Sequence, residues 1–131
     1  VIDLLAKPPR VVETVTVGPT PEGIQLSPDG KTVAVVIHNG SGKAKESPFY
    51  NANGLLLLYR VDGFKLTKIA QAPIGRWSQG IAFSRDGATI LVQNMLERDI
   101  QVFHFDGTQL SDTGQRIKLS GGGAALRTAK F

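Results

Sequence analysis

The sequence predicts an all-β protein made of stacked four-stranded sheets, and three observations carry that prediction. The segment Pro21-Glu-Gly-Ile-Gln-Leu-Ser-Pro-Asp-Gly-Lys-Thr-Val-Ala-Val-Val36 recurs as Ser78-Gln-Gly-Ile-Ala-Phe-Ser-Arg-Asp-Gly-Ala-Thr-Ile-Leu-Val-Gln93, identical at seven of sixteen positions. Apolar runs such as 33–37 and 55–59 are strand-sized. Asp-Gly turns recur at 29–30, 62–63, 86–87 and 106–107 between such runs, which is hairpin punctuation. A self-similar unit outranks other signals because each copy must bury its faces against a neighbour. The architecture implied is a β-propeller: about two complete four-stranded blades plus flanking strands.

The second copy is uninterrupted and sets the template. Gly80 to Ser84 is a short apolar strand, and Arg85-Asp86-Gly87 a tight turn with glycine free to take positive φ. Thr89 to Met95 is a second strand, rich in β-branched and large apolar residues. Leu96 to Asp99 is a polar loop, and Ile100 to Phe105 a third strand. Asp106-Gly107 turns the chain into Gln109 to Leu119, a fourth and more polar strand. Second strands such as 33–37 are apolar on both faces, as a sheet between two sheets requires. Fourth strands, 66–74 and 109–119, alternate with Lys, Thr, Gln and Arg as at a solvated rim.

The first copy repeats this order from Ile24 to Ser27, through the turn at Pro28-Asp29-Gly30, to 32–37. Its third strand, 55–61, comes late. Gly23 to Gly80 is 57 residues, whereas Asp62 to Asp106 is 44. The excess is an insertion at 40–53. Blade one is thus placed at 20–74 with that inserted loop, and blade two at 78–119. Val11 to Val17 reads as the last strand of a preceding blade, and 124–131 as the first of a following one.

Propellers close with about four to eight blades, and repeat units draw stability from neighbour interfaces. Two blades alone leave faces bare. The expected partners are therefore the remaining blades of a parent chain or further copies of this one; three copies would close six blades. The start at Val1, without methionine or leader, reads as a processed or excised piece.

Composition narrows the function classes. Hydrophobic residues make up 41% and charged residues 20%, which suits a globular domain. The net charge of +4 comes from basic residues scattered from Lys7 to Lys130. A nucleic-acid reader clusters them on one face, so no nucleic-acid partner is expected. No apolar run approaches a membrane span, and no membrane partner is expected either. There is no cysteine, hence no disulfide or thiolate chemistry. Cysteine absence decides between neither cytoplasm nor periplasm. No cofactor and no metal are expected, because His38 and His104, the two histidines, fall at opposite ends of their blades.

The segments 27–36 and 84–107 resemble the YVTN-type, lactonase-like (phosphogluconolactonase-like) β-propeller repeat: Ser-Pro-Asp-Gly, an apolar strand ending in asparagine, then a strand ending Asp-Gly. The lead-ins Val17-Gly-Pro-Thr-Pro-Glu-Gly23 and Ile74-Gly-Arg-Trp-Ser-Gln-Gly80 resemble its Val-Gly-x-x-Pro-x-Gly. The resemblance covers about Val11 to Phe131. Ile37 departs from it where Asn94 keeps the motif asparagine. It implies the fold, and activities ranging from sugar-acid lactone hydrolysis to binding; no catalytic residue carries over. A periplasmic or secreted setting, including an accessory role to a redox or metal enzyme, is implied only by family habit.

The loops before first strands and between second and third strands share one end of the blades. Loops on a rigid scaffold are the default binding surface. That end gathers His38, Asn39, Lys43, Tyr50, Arg76, Trp77, Gln79, Asn94, Glu97 and Arg98. Aromatic faces stack on sugars or bases, and Arg or Lys hold carboxylates or phosphates. The simpler expectation for Trp77 is packing against the next blade. Without a nucleophile-base pair, a non-catalytic binding or assembly scaffold for a small-molecule or protein ligand leads. A fragment of a hydrolase acting on sugar-acid lactones is the alternative.

Overall fold

The computed structural model describes residues 1–128, and these are all-β. Ten strands form three antiparallel sheets. A two-stranded hairpin joins β1 (Ile2–Asp3) to β2 (Arg10–Val11). The first four-stranded sheet runs in chain order through β3 (Pro21–Leu26), β4 (Thr32–Ile37), β5 (Gly54–Asp62) and β6 (Lys65–Ile74). The second repeats the meander with β7 (Ser78–Phe83), β8 (Thr89–Asn94), β9 (Asp99–Phe105) and β10 (Leu110–Lys118). Among the described residues no ladder joins one sheet to the other. The two copies are separate leaflets, consistent with partial propeller blades.

The leaflets pack face to face. Alternate residues of the first sheet (Ala34, Val36, Leu56, Leu58, Ala72 and Ile74) meet Ile81, Phe83, Ile90, Val92, Phe103 and Phe105 of the second. Several of these, among them Phe103, Leu56, Leu58 and Ile90, are fully buried. Each such side chain stabilises the stack by about 1.5–3 kcal/mol. The far face of the first sheet presents Val35, Ile37, Leu57 and Tyr59, and Val15 and Val17 of the N-terminal arm lie on it. Burial raises the Tyr59 phenol above its ordinary value.

The turn ends repeat atom for atom. Ser27 Oγ donates to Asp29 Oδ1 at 2.6 Å, Asp29 Oδ1 accepts the Lys31 amide, and Ser27 Oγ accepts the Thr32 amide. Ser84, Asp86, Ala88 and Thr89 do the same. Hence the Ser-x-Asp-Gly signature is a side-chain-braced turn.

Each sheet also carries a bulge in the same place, between Pro21 and Ile24 and between Ser78 and Ile81. Past it, pairing continues as Pro21↔Ile37 and Ser78↔Asn94, so β3 and β7 begin two or three residues before the apolar run does. Gly23 and Gly80 sit in these bulges because the neighbour's main chain comes close. A Cβ on Gly23 would lie 2.2 Å from the Gln79 carbonyl oxygen, and one on Gly80 2.7 Å from the Leu126 nitrogen.

Two expectations at the termini are corrected. Residues 12–17 form no strand; only Arg10–Val11 is paired, and with Ile2–Asp3. The Val15/Val17 alternation reports one-sided burial, which an extended arm lying on a sheet face satisfies without a ladder. Residues 124–128 likewise form no strand, although they run beside β7 and Thr128 Oγ reaches the Phe83 carbonyl at 3.5 Å. The remainder of the anticipated 124–131 strand lies outside the described residues. The copies differ in what covers them: Ile81 and Phe83 of β7 are buried against the first sheet, while Ile24 and Leu26, their counterparts in β3, lie on that sheet's far face and stay exposed.

Candidate functional site

The loop-rich end is assembled by three elements: the crossover from β6 to β7, the insertion after β4, and the turn between β8 and β9. The crossover is pinned from both sides. Gly75 donates its amide to Asn94 Oδ1 at 3.0 Å, and the Arg76 amide goes to Glu97 Oε2 at 2.8 Å. Glu97 Oε1 takes Arg76 Nε at 2.8 Å as well. Glu97 thereby keeps the guanidinium protonated still more firmly than usual. One carboxylate holds both the backbone and the side chain of Arg76.

Next along the chain, Trp77 adopts φ 51°, and Thr20, its equivalent in the first copy, φ 57°. Positive φ costs a non-glycine residue roughly 1–2 kcal/mol per site, and tertiary contacts maintain it here. The Trp77 amide donates to Ser41 Oγ at 3.1 Å, and Ser41 Oγ donates to the His38 carbonyl at 2.7 Å. The indole lies against Gly42, whose added Cβ would stand 3.2 Å from Trp77 Cε3. His38 meets the indole edge-on, with centroids 6.0 Å apart and planes at 73°. Trp77 remains 41% exposed. It therefore packs on the neighbouring blade's insertion while remaining partly open to solvent.

His38 is buried, and its Nε2 has no hydrogen-bond partner. Desolvation lowers its pKa from the ordinary 6.5, opposed by the charge of Glu22 and by the Ser78 main chain. The imidazole is neutral near pH 7.

Beneath the crossover runs a buried polar chain that motif reading missed. Ser78 Oγ donates to Asn94 Oδ1 at 2.7 Å, and Asn94 Nδ2 donates to Asp99 and Gln101. Gln101 Nε2 reaches Asp112 at 2.7 Å and the Pro73 carbonyl at 3.4 Å. Lys118 closes on Asp99, and Arg116 on Asp112 through two bonds. The Arg116 hydrogen bonds are the main reason the Asp112 carboxyl falls to about 2. The available signal was Asn94 itself, the motif asparagine, but its partners are brought in by sheet register.

The structure thus joins His38 to Trp77, Arg76 to Glu97, and Asn94 to the crossover. Asn39 belongs to the insertion's own frame, giving its amide to the Asn53 carbonyl and taking that of Asn51 on its own carbonyl. Tyr50 is half-buried, close enough to Arg76 to act on its charge. Gln79 lies elsewhere, in a groove of ≈ 880 Å³ between β3, β7 and residues 124–128. Lys43 and Arg98 are exposed, and among the described residues neither side chain hydrogen-bonds to the others. Among the described residues no group of three or more His, Asp or Glu is arranged to hold a metal.

No protein-family model and no curated protein matches this chain. Solved structures do. A "putative 6-phosphogluconolactonase" from Bacteroides fragilis superposes with TM-score 0.66 and 23% identity, over 84% of this chain and 28% of its own. Hydrazine synthase of Kuenenia stuttgartiensis does so with TM-score 0.56 and 20% identity, over 88% and 29%. At these identities the likeness is one of fold, and the first is to a lactonase-like fold. The chain spans under a third of the length of either.

Proposed function

We propose that this chain is a pair of YVTN-type blades acting as a non-catalytic binding and assembly scaffold. The remaining blades of a parent chain, or further copies of this one, complete the propeller. The observation that carries the reading is Trp77: a bulky aromatic held in a left-handed backbone conformation yet 41% exposed. Strained conformations persist where surrounding contacts over-determine them, and they concentrate at ligand clamps. A rigid aromatic platform flanked by Arg76 and Tyr50 suits a sugar-like or acidic small molecule, or a protein loop.

Trp77→Ala tests the site. It is expected to leave the fold intact by circular dichroism and to abolish binding in calorimetric titrations with neutral and acidic monosaccharides. A folded variant that binds each of these as the parent does would remove the site. The second reading, a segment of a hydrolase acting on sugar-acid lactones, draws on the fold likeness to the Bacteroides fragilis protein. Lactone hydrolysis by the full-length protein, lost in Glu97→Gln or Arg76→Ala, would decide for it.

A further inference from the structure

A binding role alone leaves two groups at this end unaccounted for: an imidazole nitrogen with no partner and a serine hydroxyl with two. Ser41 is 2% exposed, and its hydroxyl bridges the His38 carbonyl, just past β4 of the first sheet, to the Trp77 amide on the crossover into the second. The insertion's Gly42 backs the indole, and His38 abuts its edge. Together these form a latch between blades, with residues 40–53 as the bolt. The latch exists whether or not a ligand occupies the surface.

His38 is the weak member. Its Nε2 is buried without a partner, which a neutral ring bears at the loss of one hydrogen bond. An imidazolium there would carry an unpartnered N–H and a desolvated charge, a far larger penalty. Among the described residues Glu22, at the start of β3, is the one charge that bears on it; the crossover offers the Ser78 main chain. From the insertion comes Ser41, whose proton and one of its lone pairs are already engaged. Relief on protonation therefore requires the ring to move toward water, and the Trp77 indole lies against its edge.

We propose that His38 is a proton-operated release for this latch: protonation separates the Trp77 indole from Gly42 and Ser41 and frees the insertion from the second sheet. The chain's single tryptophan makes the event directly observable. In the unmodified 131-residue chain, the His38 imidazole and the Trp77 indole N–H are followed by NMR from pH 8 to 4. Both are expected to titrate with one shared midpoint below 6.5. Acrylamide access to the indole should rise through the same interval, and that rise should vanish in His38→Gln while persisting in His104→Gln. An indole that stays still while His38 titrates overturns the proposal, as does a His38 midpoint at or above 6.5. So does an access transition that survives in His38→Gln.

Discussion

Asn94 and Ile37 occupy the same register position in their sheets, opposite Ser78 and Pro21 respectively. One serves as the hub of a buried hydrogen-bond chain; the other is a core side chain. Replacing Asn94 by Ala would leave Ser78, the Gly75 amide, Asp99 and Gln101 short of partners. Buried groups stripped of a partner cost about 1–3 kcal/mol each in isolation. Because these share one network, we expect Asn94→Ala to cost on the order of 3 kcal/mol by chemical denaturation. Glycines separate in the same way. Gly23 faces the Gln79 carbonyl, which is main chain and cannot rotate aside. Gly23→Ala should therefore cost up to about 3 kcal/mol through overpacking. Gly30 has φ 73° and open space around it. Asn visits that region readily, so Gly30→Asn should stay within about 0.5 kcal/mol of the parent. Equal losses in these two glycine variants would show that the close approach at Gly23 is not what the fold requires.

At the scale of the element, the acidic turns set the behaviour in acid. Asp106 accepts amides from Gln109 and Thr108 and the Thr108 hydroxyl, which together hold it at about 2. Asp29 and Asp86 are lowered by their serine partners first. A carboxyl held below its ordinary 3.8 takes up its proton later in the folded turn than in the unfolded chain. Its contribution is therefore complete above that value and is lost as pH falls toward 2. Thermal melting between pH 5 and 2 should show this decline, and Asp106→Asn should flatten part of it. His38 adds an earlier loss of the same sign, beginning as pH drops through 6.5. A parent protein whose melting temperature is level from pH 7 to 5 would contradict the buried neutral imidazole.

For the whole molecule, the two leaflets bury one shared core but not their inner edge. Ile24 is 69% exposed on β3, and Leu5 is 91% exposed in the N-terminal hairpin. An open strand edge with apolar side chains invites pairing with another chain. If further copies of this chain complete the propeller, the purified chain should scatter light as a multiple of 14.0 kDa. A stable monomer would show that the arm at 12–17 and the tail at 124–128 suffice as covers.

The order and approximate position of the eight blade strands were legible in the residues, because each Asp-Gly turn is local and each apolar run has strand length. Copy-to-copy comparison even located the insertion. The terminal segments misled, since Val15 and Val17 alternate whether they face a ladder partner or merely lie on a sheet. The loop-end residues could be grouped by topology, yet not paired. Nothing near Ser41 in the chain indicates that it receives the Trp77 amide 36 positions later. Nothing near Gln101 indicates Pro73. Short-range chemistry — turn bracing, strand propensity and alternation — is written in consecutive residues, so the sequence alone determined the leaflets. Which side chains meet between leaflets depends on stacking and register over distances no local pattern encodes, and there the tertiary structure decided.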